Sequence, residues 1–360
     1  MNFQETIAHY KKIIDEELNI FFDKKIEEID SLFIKQNYEF LKEYITTGGK
    51  RLRSISTIMS YVAFSGQDVK KIIPAALAVE LQHAYSLILD DIMDEDMYRR
   101  NSPGINKKLK DYYLENFKDV NYEGELFSKT SSKYAVSYGM MLGSITDLLC
   151  KKLLLEMDAT DEIKNKCAKI IVDNNLTIFH GQMLDVHMEI SKEVSLDDYM
   201  QMISRKTSPF FYGALGIGAI LADASDEDLR KINEFGLFSS MAFQIQDDII
   251  DISKDMDKGN TFASDIIKGK RTLIVIHCLE NSTDEKQNEL IKILDKNNNS
   301  DEEIEKAISI LNESDSIDYA KKVAQEYLEK SQTALEKINM SNEGKKFFSD
   351  LSEFMINRKY

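Results

Sequence analysis

The sequence predicts an all-α fold, and three observations carry that prediction. Apolar residues recur at three- and four-residue spacing along most of the chain, and only three prolines interrupt its 360 residues. No stretch shows the sustained apolar-polar alternation, bounded by turn residues, that a sheet requires. Hydrophobic residues make up 43% of the chain, enough at this length to bury a substantial core. One helical domain over 1–360 is the economical reading; a separately packed C-terminal helical subdomain, from about 282 to 360, is the alternative.

In chain order, residues 7–33 place Ile13, Ile14, Leu18, Phe21 and Phe22 amid Lys and Glu, the pattern of one or two amphipathic helices. Thr46-Thr47-Gly48-Gly49 breaks it, and a helix restarts through Leu52, Ile55, Ile58 and Met59 until Gly66. Pro74 suits the first turn of the next helix, which runs from Ala75 through Leu81, Leu87 and Leu89 to Met93, with Pro103-Gly104 ending the segment. Residues 105–133 are polar and tyrosine-rich without a clear core face and read as a surface excursion. Helical patterns resume over 134–157, 161–188, 196–222 and 226–252. Beyond 282 they continue through Ile304, Ile308 and Leu311, then Val323, Tyr327 and Leu328, with the tract 297–301 as a loop ending in a helix cap.

A net charge of -16 disfavours a general nucleic-acid surface, which needs a basic field. Cys150, Cys167 and Cys278 are odd in number and lack metal-ligand spacing, which suits a reducing cytoplasm rather than a disulfide framework. The first residues are mixed in charge with no continuous apolar core, so no targeting signal is legible. The most apolar run, 210–222, is too short to span a bilayer and reads as a buried core helix, so no transmembrane segment is expected.

Two acidic constellations follow apolar helices. In Asp90-Asp91-Ile92-Met93-Asp94-Glu95-Asp96, Asp90 and Asp94 share a helical face and Asp91 lies about 100° round from Asp90. Phe243-Gln244-Ile245-Gln246-Asp247-Asp248-Ile249-Ile250-Asp251 repeats the arrangement, with Asp247 and Asp251 on one face. Grouped carboxylates at the end of a buried helix are costly unless cations neutralise them, and hard oxygen ligands suit magnesium with retained waters and phosphates. With 62 acidic residues, some Asp-Asp pairs arise as solvated or capping groups. Asp197-Asp198, after Ser195, is such a pair.

An anionic substrate also needs cations. Gly48-Gly49-Lys50-Arg51-Leu52-Arg53 joins a turn to a helix start, Arg99-Arg100 follows the first cluster, and Lys206-Thr207 and Gly269-Lys270-Arg271-Thr272 adjoin apolar helices. Glu95 to Arg99 and Asp96 to Arg100 would alternatively be ordinary i,i+4 helix salt bridges, and Lys50 and Arg53 would alternatively be solvated. His83, seven residues before Asp90, lies on the same face and serves either structure or substrate.

In order, GGKRLR, His83, DDIMD with its arginine pair, Gly181-Gln182, Lys206-Thr207, FQIQDDIID and GKRT resemble the trans-prenyl diphosphate synthase family, over residues 48–273. The resemblance implies an antiparallel helical bundle around a central cavity, of the isoprenoid synthase type I kind, in a homodimer. It implies magnesium, three ions with bound diphosphate, held by Asp90, Asp91 and Asp94 on one wall and by Asp247, Asp248 and Asp251 on the other. Lys206, Thr207, Gln244, Lys270 and Arg99 would hold the allylic diphosphate, and Lys50, Arg53, His83 and Arg100 the isopentenyl diphosphate. Condensation would give a short linear prenyl diphosphate, farnesyl or geranylgeranyl. The catalytic set is then Asp90, Asp91, Asp94, Arg99, Lys206, Asp247 and Lys270. Tyr85, about one and a half turns before Asp90, would floor the cavity, or is an ordinary core tyrosine.

Several residues depart from the family pattern. Ser54 replaces a frequent proline, Asn101 a glycine, Met140 an aspartate, and Asn260 a diphosphate-binding lysine for which Lys258 is the nearby substitute. The competing readings are a class I terpene cyclase, whose second metal motif differs, and a non-catalytic regulatory partner of a synthase.

Overall fold

A computed structural model of the protein describes residues 1–191, 193–253, 262–296 and 298–357. The chain divides into two compact units, Met1–Val62 with Gly66–Ile171, and Ala63–Ser65 with Val172–Tyr360.

The first unit begins with α1 (Phe3–Glu27), whose start is fixed by a capping box between Asn2 and Glu5 and whose residues Tyr10, Ile14, Leu18 and Phe22 form a buried stripe four residues apart. Ser31 caps α2 (Leu32–Thr46), so the periodicity read over 7–33 is two helices. After α3 (Leu52–Ala63) comes α4 (Val69–Met93), which starts earlier than Pro74 suggests because the Asp68 side chain accepts from the Lys70 amide; Pro74 lies inside the helix. By length and composition α4 alone among the described helices could cross a bilayer, yet 67% of its apolar window is buried in the protein.

The helix ends at Met93, and Glu95 turns into left-handed backbone at φ +54°. Strands β1 (Tyr98–Arg99) and β2 (Ser102–Pro103) then pair antiparallel across Arg100 and Asn101, at φ +54° and +59°. Two left-handed residues make the tight hairpin turn, a conformation that favours glycine and tolerates asparagine, as at Asn101. Arg99 and Arg100 are therefore not on a helix, and the i,i+4 salt-bridge alternative is excluded.

The expected excursion is shorter than it reads. Residues Ile105–Asn116 form α5, burying Ile105, Asn106 and Leu109 and packing on α6 (Thr130–Glu156). Its core face escaped notice because it is barely one and a half turns long and includes Asn106, whose amide donates to the Asp91 and Asp96 carbonyls at 3.1 and 2.8 Å. Helix α4 packs closely on α6: a Cβ on Gly139 would lie 2.7 Å from Ile92 Cδ1, and one on Gly143 3.0 Å from Leu89 Cδ2.

Helix α7 (Asp161–Ile190) carries the chain into the second unit. The pattern read over 196–222 breaks at Thr207 into α8 (Leu196–Lys206) and α9 (Ser208–Leu221), because Pro209 cannot donate to the carbonyl four residues back. The Asp198 amide and carboxylate form a capping box with Ser195, and Asp197 accepts from Gln201 Nε2 at 2.6 Å, so the pair serves the start of α8. Helix α10 (Asp226–Asp251) packs against α8 and α9, and also against α12 (Leu273–Asn281), α15 (Ser316–Glu336) and α16 (Asn342–Asn357). The short α11 (Ser264–Ile267), α13 (Asp284–Leu294) and Ser300-capped α14 (Asp301–Glu313) complete it.

Gly181 of α7 meets the junction of α8 and α9 so closely that a Cβ would lie 2.2 Å from the Lys206 amide nitrogen. Backbone cannot yield as a flexible side chain would. Gly181→Ala is therefore expected to destabilise the protein by about 1–3 kcal/mol, read as a lowered midpoint in thermal denaturation; an unchanged midpoint would mean that the helices shift freely.

Candidate active site

In the first unit, the last turn of α4 presents Asp90 and Asp94, both partly exposed and linked by the Asp94 amide donating to the Asp90 carbonyl at 2.8 Å. Asp91 turns inward. Its carboxylate is buried, accepting from Tyr44 Oη at 2.9 Å and from Arg99 Nε and Nη2 at 2.6 and 2.5 Å. Burial works against the Asp91 anion and the Arg99 guanidinium works for it; with three protein donors in place, the ion pair is the state the geometry supports. Arg99 Nη2 also stands 3.6 Å from Asp90. Asp91, expected from the sequence to bind metal beside Asp90 and Asp94, is the acceptor of these three protein donors. Tyr44 has no sequence signal, because it lies on α2, 47 residues away from Asp91.

Beside Asp91 is a recess lined by Tyr44, Thr47, Arg51, Glu80, His83, Leu87, Arg99 and Arg100. Burial, then the positive charges of Arg53, Arg100, Arg99 and Arg51, hold the His83 imidazole well below its usual range, so it is neutral at physiological pH. Burial and the neighbouring Arg51 and Arg99 likewise pull Arg100 down, although Glu80 opposes them. Cations crowded like this favour any anion that binds among them. Gly48 and Gly49 have φ of +68° and +84°, and a Cβ on Gly49 would lie 3.0 Å from Arg100 Nη1. Lys50 is exposed and Arg53 partly exposed on the same segment.

The second unit holds a separate set. Lys206 and Lys270 both donate to Asp185 Oδ2, at 2.6 and 2.9 Å, and Lys270 also reaches Glu189. Burial opposes the Asp185 anion, but Lys206 and Lys270 outweigh it and hold its carboxyl below the usual range. Asp185 and Glu189, one turn apart on α7, were missed; their only sequence signal is an acidic i,i+4 pair just after Gly181-Gln182.

On α10, Asp247 is partly exposed, whereas Asp248 and Asp251 are buried. Tyr199 Oη donates to Asp248 Oδ2 at 2.6 Å, Gln244 Nε2 donates to Asp248 Oδ1 at 3.0 Å, and Thr207 Oγ1 donates to Gln244 Oε1 at 3.0 Å. Asp251 accepts from Ser264 Oγ and the Asp265 amide, each at 2.9 Å. Lys258 and Asn260 lie outside the described residues.

Each motif thus has a partly exposed first aspartate and a buried second one tied to a tyrosine from another helix. Among the described residues no three His, Cys, Asp or Glu side chains converge where one ion could sit. Small sets of hard oxygen donors nevertheless suit magnesium, which keeps several waters and takes phosphate oxygens alongside one or two carboxylates. Tyr85, 2% exposed, lies on α4 with Asp147 and Cys150 of α6 close enough to its hydroxyl to raise its pKa together with burial, the larger cause.

Comparison with known proteins bears on this arrangement. The model of the polyprenyl synthetase family matches residues 35–311. A short chain isoprenyl diphosphate synthase of Methanocaldococcus jannaschii is 34% identical over 96% of this chain and 94% of its own length. The crystal structure of geranylgeranyl pyrophosphate synthetase from Pyrococcus horikoshii, 27% identical, superposes with a TM-score of 0.81 over 99% of this chain and 100% of that one. A geranylgeranyl pyrophosphate synthase from Corynebacterium glutamicum, complexed with isoprenyl diphosphate and magnesium, shares the fold at a TM-score of 0.89 and 19% identity, over 99% and 100% of the two chains. The chain has the all-α isoprenoid synthase fold, belongs to the polyprenyl synthetase family and is a prenyltransferase.

Proposed function

We propose that the chain condenses an allylic diphosphate with isopentenyl diphosphate, releasing diphosphate and a linear prenyl diphosphate of short chain, farnesyl or geranylgeranyl. The observation that carries this reading is that each aspartate motif has its own cations: Arg99 and Arg100, beside a neutral His83, by the first, and Lys206 and Lys270 by the second. A reaction with two diphosphate substrates needs two anion sites, and a chain that only cyclised one would need one. Both units serve one prenyl synthase domain.

Asp90, Asp94 and Asp247 would hold magnesium, three ions by the family resemblance, with Asp91, Asp248 and Asp251 bracing the motifs from behind. Bound there, the metal supplies positive charge for diphosphate leaving the allylic carbon. Lys206, Thr207, Gln244, Lys270 and Arg99 orient that diphosphate. Lys50, Arg53, His83 and Arg100 hold the isopentenyl diphosphate, whose double bond attacks the allylic cation. A neutral His83 contributes a hydrogen bond without competing for a proton. By the family resemblance, the departing diphosphate takes the final proton.

A second copy of the chain is the proposed partner. Along α7, Val172, Leu176, Phe179, Met183, Val186 and Ile190 recur at four- and three-residue spacing, all between 41% and 80% exposed. A continuous apolar stripe of that kind marks an interaction face, and its self-complementary heptad spacing suits the same helix of another copy. Three buried, unbridged cysteines support a cytoplasmic setting, with no span across a membrane and no nucleic-acid partner.

Purified protein given isopentenyl diphosphate and an allylic diphosphate should form linear product only with magnesium; a cyclic hydrocarbon from the allylic substrate alone would replace the reading. Asp90→Ala or Asp247→Ala should lower kcat on the order of 100-fold or more while the circular dichroism spectrum stays native; near-normal rates would remove their metal role. Tyr85→Ala should lengthen the product seen by chromatography, and an unchanged distribution from active enzyme would return Tyr85 to the core alone. Leu176→Arg with Phe179→Arg should convert a dimer to a monomer by light scattering, whereas an unaltered mass would move the interface elsewhere.

A further inference from the structure

Among the three cations of the segment 48–53, Arg51 alone is buried, at 2% exposure, while Lys50 is exposed and Arg53 partly exposed. Its backbone sits at φ +54°, following left-handed Gly48 and Gly49. An arginine does not choose that conformation locally, so the side chain must hold it there. Arg51 Nε donates to Asp15 Oδ1 at 2.8 Å, Nη1 to Glu80 Oε1 at 2.7 Å, and Nη2 to the Thr46 carbonyl at 3.2 Å.

Glu80 is itself 5% exposed, and its other oxygen accepts from Ser54 Oγ at 2.8 Å. Glu80 lies on α4, one turn before His83 and ten residues before Asp90. Arg100 is tied to the same segment, since its guanidinium rests against Gly49 and donates to the Thr47 carbonyl at 3.5 Å.

We propose that the Arg51–Glu80 pair, braced by Asp15 and Ser54, is a positioning device for isopentenyl diphosphate: it locks the segment 47–54 onto α4 and so sets where Lys50, Arg53 and Arg100 stand relative to His83. The proposal rests on the reading that these cations take isopentenyl diphosphate. A buried pair that served stability alone would not need left-handed backbone at Arg51, between Lys50 and Arg53, in a segment that also accepts from Arg100. Neither Arg51 nor Glu80 touches the substrate in this scheme; they act through the residues they hold.

The test uses the full chain with magnesium and measures KM for each substrate separately. Glu80→Gln keeps the shape and removes the charge. It is expected to raise KM for isopentenyl diphosphate about tenfold or more, leaving KM for farnesyl or dimethylallyl diphosphate unchanged. Arg51→Ala should show the same split, with partial rescue of the isopentenyl KM by added guanidinium ion. An equal rise in both KM values, or a fall in activity that tracks only the folded fraction, would overturn the proposal and leave the pair a structural staple. Should Glu80→Gln not fold, Ser54→Ala removes one brace; a smaller rise in the same KM supports the device and an unchanged one overturns it. Lys50→Ala separates the two claims. If it leaves the isopentenyl KM unmoved, the substrate reading itself fails, and the device with it; if it raises that KM while Glu80→Gln does not, only the device fails.

Discussion

A carboxylate removed from water must be met by something positive or protic, and that constraint organises both units. Glu80, Asp91, Asp185, Asp248 and Asp251 are all buried, and each accepts from named donors. Leaving any of them without partners would cost more than most single interactions return. Four of the partners, Arg99, Lys206, Gln244 and Lys270, are residues proposed to bind substrate, so there the bonds that satisfy the fold also place the proposed chemistry. Arg99 is oriented by the aspartate that follows Asp90, and Lys206 and Lys270 are gathered by one shared acceptor.

Within each motif the same division of labour appears. Tyr44 holds Asp91 and Tyr199 holds Asp248, which fixes the inward member of each Asp-Asp pair and leaves Asp90 and Asp247 partly exposed next to it. A helical step of about 100° between neighbours lets one aspartate of each pair turn into the protein while the other stays at the surface. Asp251 follows the rule at the end of α10, where it caps the start of α11 instead of standing with Asp247.

The fold class was legible because periodicity and scarce proline act locally, and both aspartate motifs were legible because their spacing is helical. Boundaries shifted where a cap outweighed a proline, as Asp68 did over Pro74, or where a proline broke a continuous pattern, as Pro209 did. The helical alternative for Arg99-Arg100 fails because charge spacing carries no sign of the left-handed backbone at Glu95, Arg100 and Asn101. Tyr44, Tyr199, Glu80, Asp15 and Asp185 were out of reach for a different reason. Their importance comes from partners 21 to 85 residues distant in sequence, and no local pattern encodes such a pairing.

The shared grip of Lys206 and Lys270 on Asp185 has a bearing on selectivity. Their charge is already answered, so chloride or bicarbonate entering that corner offers too little in exchange for dislodging a carboxylate from two ammonium groups. Only a densely charged visitor wins the contest. An anion taken up there has to offer the two amines more than the one carboxylate oxygen they already share.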